Sequence, residues 1–149
     1  MRRPDDLFRA FDLMPTLAVW RFEVDHPVRI DSSVETQIDA IFRHARLVEC
    51  NETMARMYGD ESPAALVGAR LTDLMPDVPH NREYLRRFIR GGYQLSNEES
   101  HEVDRDGRSR IFINNFVGLV EGGELVAALG TQLDATGHRD QELLLRQSD

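Results

Sequence analysis

The chain has 149 residues, 41% hydrophobic and 30% charged, which suits one soluble-type domain with a substantial core. Its 18 lysines and arginines against 26 aspartates and glutamates leave a formal charge of −8, a field that repels polyanions and anionic membrane surfaces, so no direct nucleic-acid or membrane partner is expected. One cysteine, Cys50, cannot make an internal disulfide, no apolar run reaches the roughly 18 residues of a membrane span, and the start MRRPDDLFRAF does not read as a signal peptide; a cytoplasmic location is expected.

In chain order, Leu7, Phe8, Phe11 and Met14 predict a short amphipathic helix over 5–14, stopped by Pro15. From Thr16, Leu17, Val19, Arg21 and Glu23 alternate with Ala18, Trp20, Phe22 and Val24, a strand running through Val24 with Pro27 near its end or in a bend. Ser32 and Glu35 have capping-box spacing, and Val34, Ile38, Ile41, Phe42 and Ala45 then keep a helical period over about 33–45. Arg46 to Cys50 reads as a short strand, and Asn51 as the cap of a helix that carries Met54, Met57 and Tyr58 and ends at Gly59. Ser62-Pro63 opens a one- or two-turn helix stopped by Gly68. Asn81 opens a longer helix with the stripe Tyr84, Leu85, Phe88 and Ile89, closed by Gly91 and Gly92. The period then changes to two. Glu99 to Val103, Arg110 to Val120 and Glu124 to Leu133, joined at Asp106-Gly107 and Gly122-Gly123, form an antiparallel meander. Strands at both ends with helices between give an α+β class, an antiparallel sheet with short helices on one face.

Few residues carry an obvious chemistry. The histidines at 26, 44, 80, 101 and 138 share no i, i+4 spacing, so no metal site is expected. No G-x-S-x-G, P-loop or G-x-G-x-x-G pattern occurs, and no catalytic residue is assigned. Arg82, Arg86 and Arg90 recur every four residues and read as a solvated helix face. Asn114 and Asn115 interrupt an apolar strand, and parity puts Asn115 on the face of Ile111, Ile113, Val117 and Leu119, where its buried amide needs a partner: a ligand's polar group, a water, or a neighbouring side chain such as Gln132.

The stretch VECNETMARMYGDESPAALVGARLTDL, residues 48–74, with its strand, Asn, helix, Tyr-Gly stop and Ser-Pro-x-x-Leu-x-Gly turn, resembles the PAS domain (sensory box) of bacterial signal-transduction proteins. The ending GTQLDATGHRDQE is similar to the Asp-Ile-Thr-x-Arg-Lys signature at which the last PAS strand passes into a signalling helix; Asp134 and Thr136 match, and Ala135 replaces isoleucine. Two departures stand out: a capped helix inserted between the first two strands, where many members have a tight hairpin, and Gly137-His138 in place of an acidic residue and arginine.

The resemblance implies an N-terminal helix over 1–15, a PAS-like sensory domain over 16–134, and the start of a signalling helix or linker over 135–149. It implies a non-enzymatic sensor that binds a small ligand or mediates homodimerisation, and signals to an output domain, such as a histidine kinase of a two-component system or a transcription regulator, in a longer parent protein. Candidate ligand-binding residues are Trp20, Met54, Tyr58, Phe88, Asn115 and Gln132, with Asp134 and Thr136 for signal transfer. No cofactor is specified. Flavin-binding light sensors of this type carry Gly-x-Asn-Cys-Arg where this chain has Gly68-Ala69-Arg70-Leu71-Thr72, and Leu71 forms no flavin thioether. Haem is not expected, since Arg82 to Arg90 contains no histidine and His80 lies just before it. The rival expectation is a small enzyme on a ketosteroid-isomerase-like α+β cone. It requires Glu49, Asp73 or Glu102 inside the cavity with a raised pKa.

Overall fold

A computed structural model describes residues 17–135; the expected helix at 5–14, Thr136 and everything after it lie outside the described residues. The elements are β1 (Ala18–Arg29), α1 (Val34–His44), β2 (Ala45–Cys50), α2 (Glu52–Met57), α3 (Pro63–Leu66), α4 (Leu71–Leu74), α5 (Pro79–Arg90), β3 (Gln94–Val103), β4 (Ser109–Glu121) and β5 (Glu124–Asp134). The strands form one antiparallel sheet in the order β2-β1-β5-β4-β3, so the first and last strands pair within it. The helices carry their apolar residues onto one face of this sheet, where Ile38, Phe42, Leu74, Leu85 and Phe88 join Trp20, Phe112 and Phe116 in a single core. The α+β class and the inserted helix are as expected.

Differences from the sequence expectations have local causes. β1 continues past Val24 to Arg29 because the exposed Pro27, which has no N–H to donate, sits where pairing with β5 skips between Glu23 and Val28. Ser33, not Ser32, caps α1, its hydroxyl accepting the Thr36 N–H at 3.1 Å, and Glu35 turns away to Arg82 and Arg86. α4 was not expected; its single turn is held by Asp73, which accepts the Arg70 N–H at 3.1 Å. Asn81 does not open α5, which begins at Pro79. Fully buried, Asn81 donates to the carbonyls of Pro76 and His101 and accepts the His101 N–H, fastening the helix to β3. The Arg82/Arg86 row is not a free solvated face either, since it spans to Glu35 and Asp39 on α1 and to Asp77.

Asn51 is the joint between sheet and roof. Its side-chain oxygen accepts both the Met54 N–H, capping α2, and the Val19 N–H of β1, each at 3.1 Å, while its amide donates to the Leu17 carbonyl at 2.9 Å. Asn51→Ala removes the cap and strands buried partners on β1, so we expect a loss of about 2 kcal/mol in urea unfolding. A loss below about 0.5 kcal/mol would show that water replaces these bonds at no cost.

Candidate functional site

Alternation decides which side chains of the sheet meet the roof. On β4 the inward set is Phe112, Asn114 and Phe116, followed by Gly118; on β5 it is Ala128, Gly130 and Gln132; on β1, Ala18, Trp20 and Phe22. Gly118 and Gly130 are glycines for reasons of space. A Cβ at Gly130 would stand 2.8 Å from Trp20 Cζ2, and one at Gly118 would stand 2.9 Å from Phe88 Cζ, so both lie flat to let aromatic rings cross above them. Phe116 stacks with Phe88 at 4.6 Å and tilts against Trp20 at 5.3 Å.

Between sheet and roof lies a cavity of about 70 Å³. Its apolar wall includes Trp20, Phe22, Ile41, Leu71, Met75, Tyr84, Leu85, Phe88, Phe116 and Leu125, and its polar groups are Tyr58, Glu102, Asn114 and Gln132. Of the six candidate ligand-binding residues, Trp20, Tyr58, Phe88 and Gln132 line this space. Met54, 1% exposed, is packed outside it. Asn115 is corrected: it faces outward, accepting the Asn97 N–H at 3.0 Å across a bulge in β3, and Asn114 is the buried amide, directly opposite Gln132.

The polar groups form one chain of donors. Asn114 donates to Ser100 Oγ at 2.7 Å, Ser100 donates to Glu102 at 2.5 Å, Tyr58 donates to the other Glu102 oxygen, and Gln132 donates to the Tyr58 hydroxyl at 3.3 Å. At its centre is a carboxyl group 7% exposed, which burial pushes up to about 7 although the Ser100 and Tyr58 bonds favour its anion. The Tyr58 phenol moves well above its ordinary range for the same reason, burial first and the neighbouring Glu102 second. Glu102 was weighed in the sequence only as an acid of the rival reading. Of the other two, Asp73 is exposed and Glu49 half-buried, and neither lines the cavity. Asp134, at the end of β5, lies 3.6 Å from Arg110, which also holds Asp104 at 3.1 Å. Among the described residues no group of three or more His, Cys, Asp or Glu is arranged to hold a metal, and no helix is long and apolar enough to cross a membrane.

No family model matches the chain, and no curated protein matches it. Solved structures do match. An RNA-binding light-oxygen-voltage (LOV) receptor superposes with a TM-score of 0.63 at 23% identity over 97% of this chain, which spans 36% of that receptor. A LOV domain studied with a flavin analogue gives 0.60 at 15% identity, over 96% of this chain and 94% of its own. A PAS domain from Colwellia psychrerythraea gives 0.60 at 17% identity, over 89% and 97%. The chain therefore has the PAS/LOV fold, the class anticipated from residues 48–74.

A carboxyl group that is neutral in the fold but ionised in the unfolded chain makes stability fall as pH rises from its unfolded value near 4.5 to its folded value near 7. The size is on the order of 3 kcal/mol. The exposed carboxylates with lowered pKa, such as Asp25 and Glu35, act oppositely and below this window. We expect Glu102→Gln to flatten the decline between pH 5 and 7 relative to the unmodified chain in denaturant titrations; parallel curves would place the Glu102 pKa near its ordinary value.

Proposed function

We propose that this chain is a sensory PAS module of bacterial signal transduction, occupied by a small molecule, non-enzymatic in itself, and coupled through its C-terminal end to an output domain such as a histidine kinase or a transcription regulator. The carrying observation is a mostly apolar cavity with one polar end whose wall is wired to the exit strand. Glu102 on β3 stands opposite Arg110 on β4, and Arg110 bridges to Asp134, the last residue of β5. One register pair and one ion pair thus link Glu102 to the end of β5, which supports a route for a change at Glu102. That the chain spans about a third of the RNA-binding receptor fits a module within a longer protein.

The residues speak against a flavin thioether or a haem as the occupant. Leu71, in the position of the flavin-linked cysteine by resemblance, lines the cavity, and Cys50 is a buried residue of β2 outside it. Cofactor pockets begin at roughly 300 Å³, well above about 70 Å³. His80 is on α5 after all, yet exposed and stacked on His101 at 3.8 Å, and among the described residues no histidine lines the cavity. For dimerisation, the support is the outer sheet face, where Val117 and Leu133 are 48% and 46% exposed beside Ile113, Leu119 and Leu129. Native mass spectrometry of the freshly purified chain is expected to give a dimer with a retained small molecule. A monomer sinks the dimer, and an unoccupied protein sinks the ligand sensor.

Glu102 favours one second reading, that of a small enzyme with a buried acid or base near neutrality. Against it, both Glu102 oxygens already accept hydroxyl donors from Tyr58 and Ser100. An enzyme of that kind would exchange the α-protons of a small ketone such as acetone into D2O, and would lose that rate in Glu102→Gln; the sensory reading expects no exchange above buffer.

A further inference from the structure

Building on the sensory reading, we propose that the cavity selects a compact base, a protonated amine carrying a hydrogen-bond acceptor a few bonds away, with its ammonium on Glu102 and its acceptor on the Trp20 indole N–H. Two buried groups of the wall ask for such partners. Glu102 accepts only neutral donors, the Tyr58 and Ser100 hydroxyls. Among the described residues, the charged and titratable groups around it leave it no cation: Tyr58 follows α2, α5 brings Tyr84, β5 brings the neutral Gln132, and Glu98 of β3 already holds Arg87 of α5 at 3.0 Å. On β4, Arg110 stands opposite Glu102 in register but is turned to Asp104 and Asp134. Buried carboxylates are ordinarily paired with a cation, and a ligand ammonium supplies the one the fold lacks. An anionic ligand would meet a like charge in low dielectric.

The second group is Trp20. Its indole lines the same cavity, is 5% exposed, and its N–H has no partner among the described residues. A buried N–H left without an acceptor is the exception in folded proteins, and a ligand oxygen removes it. Apart from Tyr58, Tyr84, Asn114 and Gln132, the wall, Phe88, Phe116 and Leu125 among it, offers apolar contact, so the body that joins the ammonium to the acceptor is short and apolar. Size sets the scale. An engineered cavity of about 150 Å³ holds benzene, and this one, at about 70 Å³, suits a molecule of a few heavy atoms.

Trp20 is the single tryptophan of the chain, so its emission reports the cavity. The full chain is titrated at pH 8 with 2-methoxyethylamine, with 1-methoxypropane, which replaces the ammonium by a methyl group, and with methoxyacetate, which replaces it by an anion. We expect the amine to bind about ten-fold tighter than the ether and methoxyacetate to leave the emission unchanged. The amine should weaken as pH falls below about 7, where Glu102 takes up a proton and the amine stays charged. Glu102→Gln should bring the amine and ether affinities together. Equal binding of amine and ether, preference for methoxyacetate, or an amine affinity flat across pH 6 to 8 overturns the proposal, and these readings need no variant. So does failure of all three probes when mass spectrometry finds another molecule retained, which leaves the sensor standing; failure of all three with nothing retained removes both.

Discussion

The hydrogen bond from the Tyr58 hydroxyl to Glu102 is the constraint around which the rest is arranged. Each partner is a buried polar group that would be costly alone, a phenol without an acceptor and a carboxyl without a donor. Their meeting requires α2 to be held at both ends. At its start, Asn51 clamps it to β1; at its end, the Tyr58 carbonyl accepts the Arg105 N–H of the β3–β4 hairpin at 2.8 Å. The hairpin is in turn stiffened by Asp104, which accepts the N–H groups of Asp106 and Arg108 at 2.9 Å each. Roof and floor are therefore joined at the polar end of the cavity, while on the apolar side rings stack over glycines and make no directional bond.

This division explains what could be read from the sequence and what could not. Element order, the inserted helix and the meander were legible because periodicity and turn chemistry are local, as with Asn51 before α2 or Gly122-Gly123 before β5. The Asn114/Asn115 choice failed because β4 is apolar on both faces. Its aliphatic set, Ile111, Ile113, Val117 and Leu119, reads as the core face, yet the aromatic and glycine set, Phe112, Phe116 and Gly118, is the one that packs beneath the roof. Phe112 is fully buried whereas Val117 is nearly half exposed. The glycines were the available signal, since a sheet glycine often marks close approach by another group. Glu102 was visible as a candidate acid, but its burial depends on a β3 register set by the bulge between Leu95 and Glu98, which no local pattern reveals.

α1, the departure from the usual hairpin, has a structural logic of its own. Its buried face, Gln37, Ile38, Ile41 and Phe42, closes the side of the core next to β1 and α5. Gln37 satisfies the carbonyls of Ile30 and Ser32 and accepts from the Tyr93 hydroxyl at 2.6 Å, so the insertion is anchored to both the β1 end and the segment after α5. On the solvent side Arg82 and Arg86 pull Glu35 and Asp39 across from α1. Exposed pairs of this kind are individually weak, but a network of arginines sharing carboxylates fixes the relative placement of two helices better than it stabilises either. Ile41 of α1 lines the cavity, so the insertion also reshapes the pocket.

On the proposed reading, the decisive question is whether an event at Glu102 is large enough to be felt at Asp134. A carboxyl group held near 7 instead of 4.5 stores a difference on the order of 3 kcal/mol between its charged and neutral forms. That is a factor of about a hundred in a two-state equilibrium, short of a complete switch but ample for a graded one. The path for it is short. Charging Glu102 gives Arg110, its register neighbour, a third carboxylate to answer beside Asp104 and Asp134. Any turn of the guanidinium toward the cavity is taken from the pair that secures the end of β5, where the Ala135 N–H still reaches the Ile111 carbonyl at 2.8 Å. On this reading the coupling would run through competition for one cation, and the cavity's lack of a cation among the described residues would matter for signalling as much as for ligand choice.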